Sequence, residues 1–400
     1  MWAEQTLTTT GEPVRLEQAG GLVTLVEGSS FALSEQAGDI RPGGAAGLFV
    51  LDSRVVSQWE LVVDGRSLDP LSVSVTEPYA ATFVSRLPPV TGDPGGTLLV
   101  VRKRWVGSGM REDIELRNYS NEAESHVIEL HVGSDLADLF AVKSGLVTES
   151  LEPGRRAGDL FTSSVRSGVR RGVLVAQRCG EPSAEVDTGG LRWQVTIPAR
   201  GVWQTCLEVT LSVDDALVPL RYRCGEPPTE SLPARRLAGW RSHTPALTSC
   251  DERLSLSVTQ GVVDVGSLII EDPVHPESPV VAAGAPWFMA LFGRDSLLTA
   301  YMSMIIDPVL AVGVLQTLGR LQGRRTDPST EEQPGRILHE VRFSSATAVD
   351  LDEGQVYYGS VDATPLFVVL VGELSRWGVE PSVIDDLLPH VDAALAWIEQ

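Results

Sequence analysis

The chain has 400 residues, 43% of them hydrophobic and 21% charged, and a formal net charge of −21. That length suggests two or three domains of ordinary size, and the apolar content is too high for a disordered chain. Excess acid argues against a nucleic acid or an anionic membrane as partner, because either would be repelled.

Residues 1–225 read as β. Short runs of Val, Leu, Thr and Phe recur between turn signals: Gly21–Val26, Trp59–Val63, Leu71–Thr76, Thr97–Trp105, Arg111–Tyr119, His126–Val132, Val173–Gln177, Leu191–Ile197 and Trp203–Val213. Asp64-Gly65 after the second run predicts a tight hairpin, since both residues tolerate positive φ. Asn118–Glu122 reads as a polar turn. Gly43-Gly44 and Gly95-Gly96 read as turns, because neither precedes a helix as a phosphate loop must. The densest basic run, Arg102-Lys103-Arg104, sits inside a strand-like segment. Together these features predict an antiparallel β-sandwich.

Residues 226–238 are polar and rich in Pro, and are expected to form a linker. Residues 239–400 read as α. Asp251 is placed to cap a helix through Leu254, Val258 and Val262. Asp295 or Ser296 is placed to cap a second, with Leu298, Tyr301, Met302 and Ile305 on one face and Met304 also in the core. Asp307-Pro308 opens a third, striped by Ala311, Val314, Leu315, Leu318 and Leu321. Thr364-Pro365 opens a fourth, with Leu366, Val369, Leu370, Leu374 and Trp377, and Gly378 stops it. Pro381 and Pro389 each open a short helical stretch. About forty residues, Gly323–Val361, separate the third helix from the fourth, and a loop that long is usually functional or disordered.

Four cysteines, Cys179, Cys206, Cys224 and Cys250, show no CxxC pair and no zinc-finger spacing, and are expected to be isolated thiols. No metal or other cofactor is expected. The N-terminus lacks a basic region followed by an apolar one, and no apolar run approaches a membrane span. A cytoplasmic location without membrane partners is therefore expected, and the oligomeric state stays open.

Three stretches combine carboxylates, Arg and aromatic residues. They are Ala285–Ser296, Glu332–Arg342 and Tyr357–Phe367. This is equipment for a sugar: carboxylates accept from hydroxyls, Arg donates to oxygens, and aromatic faces cover the C–H face of a pyranose. Candidate substrate-binding residues are Trp287, Phe292, Arg294, Asp295, Glu340, Arg342, Tyr357, Tyr358 and Asp362. Each has a plainer role open to it. Asp295 and Asp362 are good helix caps. Glu340 and Arg342 could be a surface ion pair of little worth, Tyr357-Tyr358 could be packing, and His339 could be a buried structural histidine. Ser296 and Ser360 lack a nucleophile elbow. Asp385-Asp386 has no second acidic cluster to make a magnesium site.

The three stretches resemble the front half of the catalytic domain of bacterial glycogen-debranching-enzyme-like proteins, the amylo-α-1,6-glucosidase family. Gly47–Arg54, Trp59, Val63-Asp64-Gly65 and Asp135–Phe140 resemble that family's amino-terminal β-sandwich. The resemblance implies a β-sandwich followed by an (α/α)6 toroid akin to glucoamylase and trehalase. It implies a glycoside hydrolase on α-glucans or α-glucosides, using an inverting two-carboxylate mechanism. The family's Trp-Lys-Asp-Ser-like stretch, with its probable general acid, does not occur here, and the base would lie further on. The catalytic pair is therefore expected beyond Gln400, the toroid is expected to be incomplete, and the chain is read as truncated. Two alternatives stand beside this reading: a non-catalytic carbohydrate-binding protein, and a glycosidase of the same barrel class with a mannosyl or other non-glucan substrate.

Overall fold

Along Gln58–Val63 the residues Trp59, Leu61 and Val63 are buried while Gln58, Glu60 and Val62 are half-buried. This alternation of two is what a strand with one face on a core requires. The computed structural model describes residues 21–89, 97–146, 151–156, 159–166, 168–270, 275, 278–342 and 356–400. The Gly95-Gly96 turn lies outside the described residues. Backbone packing separates a β unit, Thr8–Arg235, from a helical unit that carries Arg236–Gln400.

In the β unit the described strands are antiparallel throughout. A nine-stranded sheet runs in the order Gly154–Arg156, Asp159–Arg166, Val169–Cys179, Val202–Val213, Gly109–Asn118, Leu98–Val106, Ala80–Arg86, Asp69–Glu77, with Ala216–Leu217 beside Val202–Val213. A five-stranded sheet runs Glu185–Val186, Gly190–Ile197, Glu124–Gly133, Gln58–Val63, Arg66–Ser67. One apolar core joins the two, with Trp59, Ile128, Leu130 and Trp193 from the smaller sheet and Val100, Ile114, Leu116 and Leu207 from the larger. The β-sandwich reading holds. Asp64 and Gly65 take φ of 51° and 69°, and they connect Gln58–Val63 to Arg66–Ser67 as the hairpin predicts.

A third, five-stranded sheet contains Val23–Glu27, Ser30–Ser34, Gly47–Val50, Ser53–Val56 and Ala137–Asp138. Apart from the two-residue Ala137–Asp138, three of these strands, Ser30–Ser34, Gly47–Val50 and Ser53–Val56, fall outside the runs read from the sequence. Each is short and buried at every position, so it carries no alternation to read. A short helix, α1 (Leu139–Lys143), follows, with Asp138 as its cap.

Both arginines of the basic run prove to be internal, while Lys103 is exposed. Arg102 donates to Glu112 at 2.8 Å and to Asp39 at 2.5 Å, Arg104 donates to Glu112 at 2.6 Å, and the Trp59 indole donates to Glu112 at 3.2 Å. Burial alone would raise the Glu112 carboxyl, but the two guanidiniums hold it below the usual carboxylate range. A second buried pair, Arg54 with Asp135, joins the two β stretches that carry the family resemblance.

The cysteines depart from expectation. Cys206 and Cys224 form a disulfide with Cα atoms 6.0 Å apart, while Cys179 and Cys250 are free and exposed. The pairing depends on a strand and a distant loop meeting in space, which spacing along the chain does not reveal.

The helical unit begins inside the expected linker. Helix α2 (Leu232–His243) is followed by α3 (Glu252–Ser267), whose cap is Asp251, accepting from the amides of Arg253 and Leu254. Then come α4 (Gly293–Ser303), α5 (Pro308–Arg320), α6 (Ala363–Arg376) and α7 (Pro381–Ile398). Asp307 caps α5, and Gly378 ends α6 at φ 77°. Helix α4 packs on α5 and α6, and α6 packs on α7.

Three local expectations need correction. Pro389 opens no helix of its own; α7 runs through it. Leu298, Tyr301, Met302 and Ile305 are exposed, and α4 buries Ser296, Leu297, Ala300 and Ser303 instead, although Met304 is buried as expected. The third concerns strands. A small antiparallel sheet of Ile269–Ile270, Val280–Gly284, Phe288–Phe292, Glu340–Val341 and Val356–Tyr357 lies among the helices. No helix among the described residues is long and apolar enough to cross a membrane.

Candidate substrate site

The small sheet assembles the three stretches. Phe292 is the register partner of Glu340, and Glu340 is that of Tyr357. Backbone bonds from Gly293 N to His339 O (2.9 Å) and from His339 N to Tyr357 O (2.7 Å) extend the ladder past the strand ends. Residues far apart in sequence thus reach one edge, where α4 and α6 begin.

Gly293 permits this. It is the first residue of α4, and a Cβ there would overlap the Leu338 carbonyl oxygen. Only glycine lets the helix start cross the second strand so closely. Arg294 and Asp295 follow in the first turn. Asp295 does not cap the helix: the cap position is Phe292, which offers no side-chain bond. Its carboxylate lies in the first turn, where the helix dipole favours negative charge, 3.7 Å from the Arg294 guanidinium.

Arg294 also reaches Asp362 at 3.3 Å. Asp362 stands at the N-cap of α6 but makes no side-chain capping bond. It accepts instead from Ser360 Oγ and from Arg294. The Ser360 hydroxyl, with Arg294 behind it, holds the Asp362 carboxyl below the usual carboxylate range. At neutral pH Asp362 is therefore an acceptor of hydrogen bonds and a poor proton donor.

A second group forms around Arg342, whose Nε donates to Glu340 at 2.6 Å and whose Nη2 donates to the Trp287 carbonyl at 3.3 Å. Trp287 and Phe292 are buried. A third group is a run of edge-to-face rings. Phe288 meets Phe292 at 5.8 Å, Phe292 meets His339 at 5.5 Å, and His339 meets Tyr357 at 5.7 Å. The run is open at both ends: Phe288 is 41% exposed and Tyr357 is 42% exposed.

The two tyrosines differ. Tyr357 faces solvent, and its hydroxyl donates to Glu331 at 3.0 Å. Tyr358 is only 6% exposed, and its hydroxyl donates to the Leu321 carbonyl at 2.8 Å. Burial pushes its phenol up to about 12, so it stays a donor. Tyr358 anchors the loop and offers no open ring face. Ser296 is buried with its hydroxyl on the Val281 carbonyl at 2.7 Å, which leaves no serine nucleophile there.

The arrangement therefore brings Arg294, Asp295 and Asp362 together, places Glu340 with Arg342 and Trp287, and sets Tyr357 at the end of a ring run. Sequence reasoning passed over three contributors. Phe288 lay inside a quoted stretch without being singled out, and its alternation with Phe292 along a strand was the available signal. Glu331 and Ser360 carried no local signal, since each acts by holding another side chain.

Among known proteins, residues 25–208 match the family model described as the N-terminal domain of (some) glycogen debranching enzymes. No curated protein matches the sequence. A solved structure named "Putative kojibiose phosphorylase from human microbiome" matches 88% of this chain at a TM-score of 0.54 and 7% identity. The chain spans 53% of that protein's length. At that identity the likeness concerns the fold alone. A polysaccharide lyase overlaps 94% of the chain and is itself covered over 68%, at a TM-score of 0.23 and 10% identity, too low to carry an argument.

Proposed function

We propose that this protein is a carbohydrate-active enzyme that acts on α-glucans or related α-glucosides, because residues 25–208 match the family model of the N-terminal domain of (some) glycogen debranching enzymes. The observation that carries the reading is the meeting of Asp295 and Asp362 on Arg294 where α4 and α6 begin, with the exposed ring of Tyr357 on the small sheet two strands from Phe292. The carboxylates would accept hydroxyl protons of a glucosyl unit. Arg294 would hold both acids in place, and Tyr357 and Phe288 would cover the C–H faces of sugar rings. Trp287, Phe292, Glu340, Arg342 and Tyr358 would set the shape of this edge from behind.

The proposed reaction is inverting hydrolysis. One carboxylic acid protonates the glycosidic oxygen, and a carboxylate activates water on the opposite face at roughly 6.5–9.5 Å separation. Asp362 does not suit the proton-donating role, because it is held ionised. We assign Asp295 and Asp362 to substrate binding and leave the acid and base to other residues.

Calorimetric titration of the chain with linear and branched α-glucan oligosaccharides tests the binding half. Asp295→Asn and Tyr357→Ala should each weaken affinity about tenfold, about 1.4 kcal/mol. Unchanged affinity in both would remove these residues from the site. Incubation with and without inorganic phosphate tests the chemistry: free glucose supports hydrolysis, whereas a phosphate-dependent sugar phosphate would assign phosphorolysis.

A further inference from the structure

The disulfide of the β unit has a third cysteine beside it. In the pairing of Val169–Cys179 with Val202–Val213, the register runs regularly to Gln177 opposite Leu207, then skips Arg178 and sets Cys179 opposite Cys206. This is a β-bulge, in which two residues of one strand face one of the other. Cys179 thus becomes the direct cross-strand neighbour of Cys206. Directly opposed residues of an antiparallel pair have Cα atoms roughly 4.5–5.5 Å apart, inside the range of roughly 4.4–6.8 Å that a disulfide spans. On its other side Cys206 is opposed by Asp113. Arg111 holds that carboxylate with bonds of 2.9 and 2.7 Å. The row across the sheet is therefore Cys179, Cys206, Asp113, with Cys224 bonded to its centre.

Accessibility favours chemistry at this row. Cys179 is an exposed free thiol, whereas Cys206 is buried. The segment bearing Cys224 is anchored by the buried Tyr222 ring, 5.5 Å from Tyr79, and by a few polar bonds near the disulfide. Cys224 N donates to Glu208 at 2.7 Å, and Arg111 Nη1 donates to the carbonyls of Arg223 (2.7 Å) and Glu226 (2.8 Å). Glu208 also accepts from Arg178, the bulged residue, at 3.1 Å. The bulge, the disulfide and the tethered segment thus share one carboxylate.

We propose that this disulfide is exchangeable and that Cys179 is its resolving thiol. The Cys179 thiolate attacks Cys206 Sγ. A Cys179–Cys206 bond forms, the Cys206–Cys224 bond breaks, and the electron pair leaves on Cys224 as a thiolate that takes up the proton lost by Cys179. The step is an isomerisation with no net oxidation, and it needs no outside reagent. Its product removes the covalent anchor of the Leu217–Glu226 segment, which stays held by Arg111, Glu208, the Arg221 N to Gly107 O bond and the buried Tyr222 ring beside Tyr79.

The test uses the full chain in a glutathione redox buffer, followed by acid quenching, alkylation and peptide mass mapping. Wild type should yield two isomers: Cys206–Cys224 with Cys179 alkylated, and Cys179–Cys206 with Cys224 alkylated. Cys224→Ser should lose its Cys179 thiol into a Cys179–Cys206 bond, leaving Cys250 as its free thiol. Cys179→Ser should keep Cys206–Cys224 and never show an alkylated Cys224 alone. The proposal is overturned if Cys179 and Cys206 in folded Cys224→Ser stay alkylatable or carry only glutathione. It is overturned equally if wild type gives the first isomer alone. Circular dichroism of both variants establishes that each is folded before the mapping is read.

Discussion

Gly293 sits where a helix start and a strand carbonyl compete for the same space. Its amide donates to His339 O, and its missing Cβ leaves room for Leu338 O. Gly293→Ala should therefore destabilise the helical unit by about 1–3 kcal/mol through overpacking. Chemical denaturation followed in the helical signal checks this, and an unchanged midpoint would contradict it. The substitution should also reduce glucan affinity, because Arg294 and Asp295 directly follow the displaced residue. Local chemistry of this kind was partly legible in the sequence. Asp64-Gly65, Asp251 and Asp307-Pro308 were read from residue type alone, because a cap or a tight turn is decided within four residues. The room at Gly293 was not, since the atom it makes way for is forty-five positions further on.

At the scale of elements, Gln322, just past the end of α5, meets His390 of α7. Gln322 Nε2 donates to the carbonyls of Gly335 and His390, both at 2.9 Å, so its Oε1 must accept from His390 Nδ1 at 2.9 Å. That bond fixes the proton on Nδ1 of a neutral ring. Burial, helped by Arg324, lowers the His390 pKa below its usual 6.5. A folded value below the unfolded one means the contribution is fully present above pH 6.5. It is lost as pH falls through the folded value, because the unfolded chain takes up the proton first. The His390 ring signal in proton NMR should titrate below 6.5, and amide exchange in α7 should speed up over the same range. A midpoint at or above 6.5 would refute this. Sequence periodicity found α5, α6 and much of α7 but divided α7 at Pro389. A proline forfeits one amide donor, and packing of α7 on α5 and α6 outweighs that loss. The strands Phe288–Phe292, Glu340–Val341 and Val356–Tyr357 escaped for a different reason: two of them are two residues long and have no period to detect.

For the whole molecule, the β unit has charge at the centre of its apolar core. Two guanidiniums, Arg102 and Arg104, share Glu112. Replacing Glu112 leaves these cations buried with Asp39 as the remaining acid near them. Glu112→Gln should cost about 3–5 kcal/mol of β-unit stability, the range for breaking a buried ion pair by removing one partner. Urea unfolding checks it, and a loss under 1 kcal/mol would show that the network is solvated. The sandwich itself was legible, since long strands such as Leu98–Val106 alternate cleanly. The internal role of Arg102 was not, because a basic residue in a strand reads the same whether it faces water or a buried carboxylate.

Arg336 has one further consequence. Its guanidinium lies 5.3 Å from the Trp397 ring centroid, donates to the carbonyls of Glu331 and Ser360, and so reaches the loop that supplies both Tyr357's partner and Asp362's. The far end of α7 and the carboxylate edge are therefore two ends of one line, a cation–ring contact from Trp397 to Arg336 and then polar bonds through Ser360, Asp362 and Arg294. Free energy along such a line is reciprocal. If the edge holds a sugar as proposed, whatever seats Trp397 more firmly would tighten the grip on its hydroxyl, and the bound sugar would steady the last turn of the helix by the same amount.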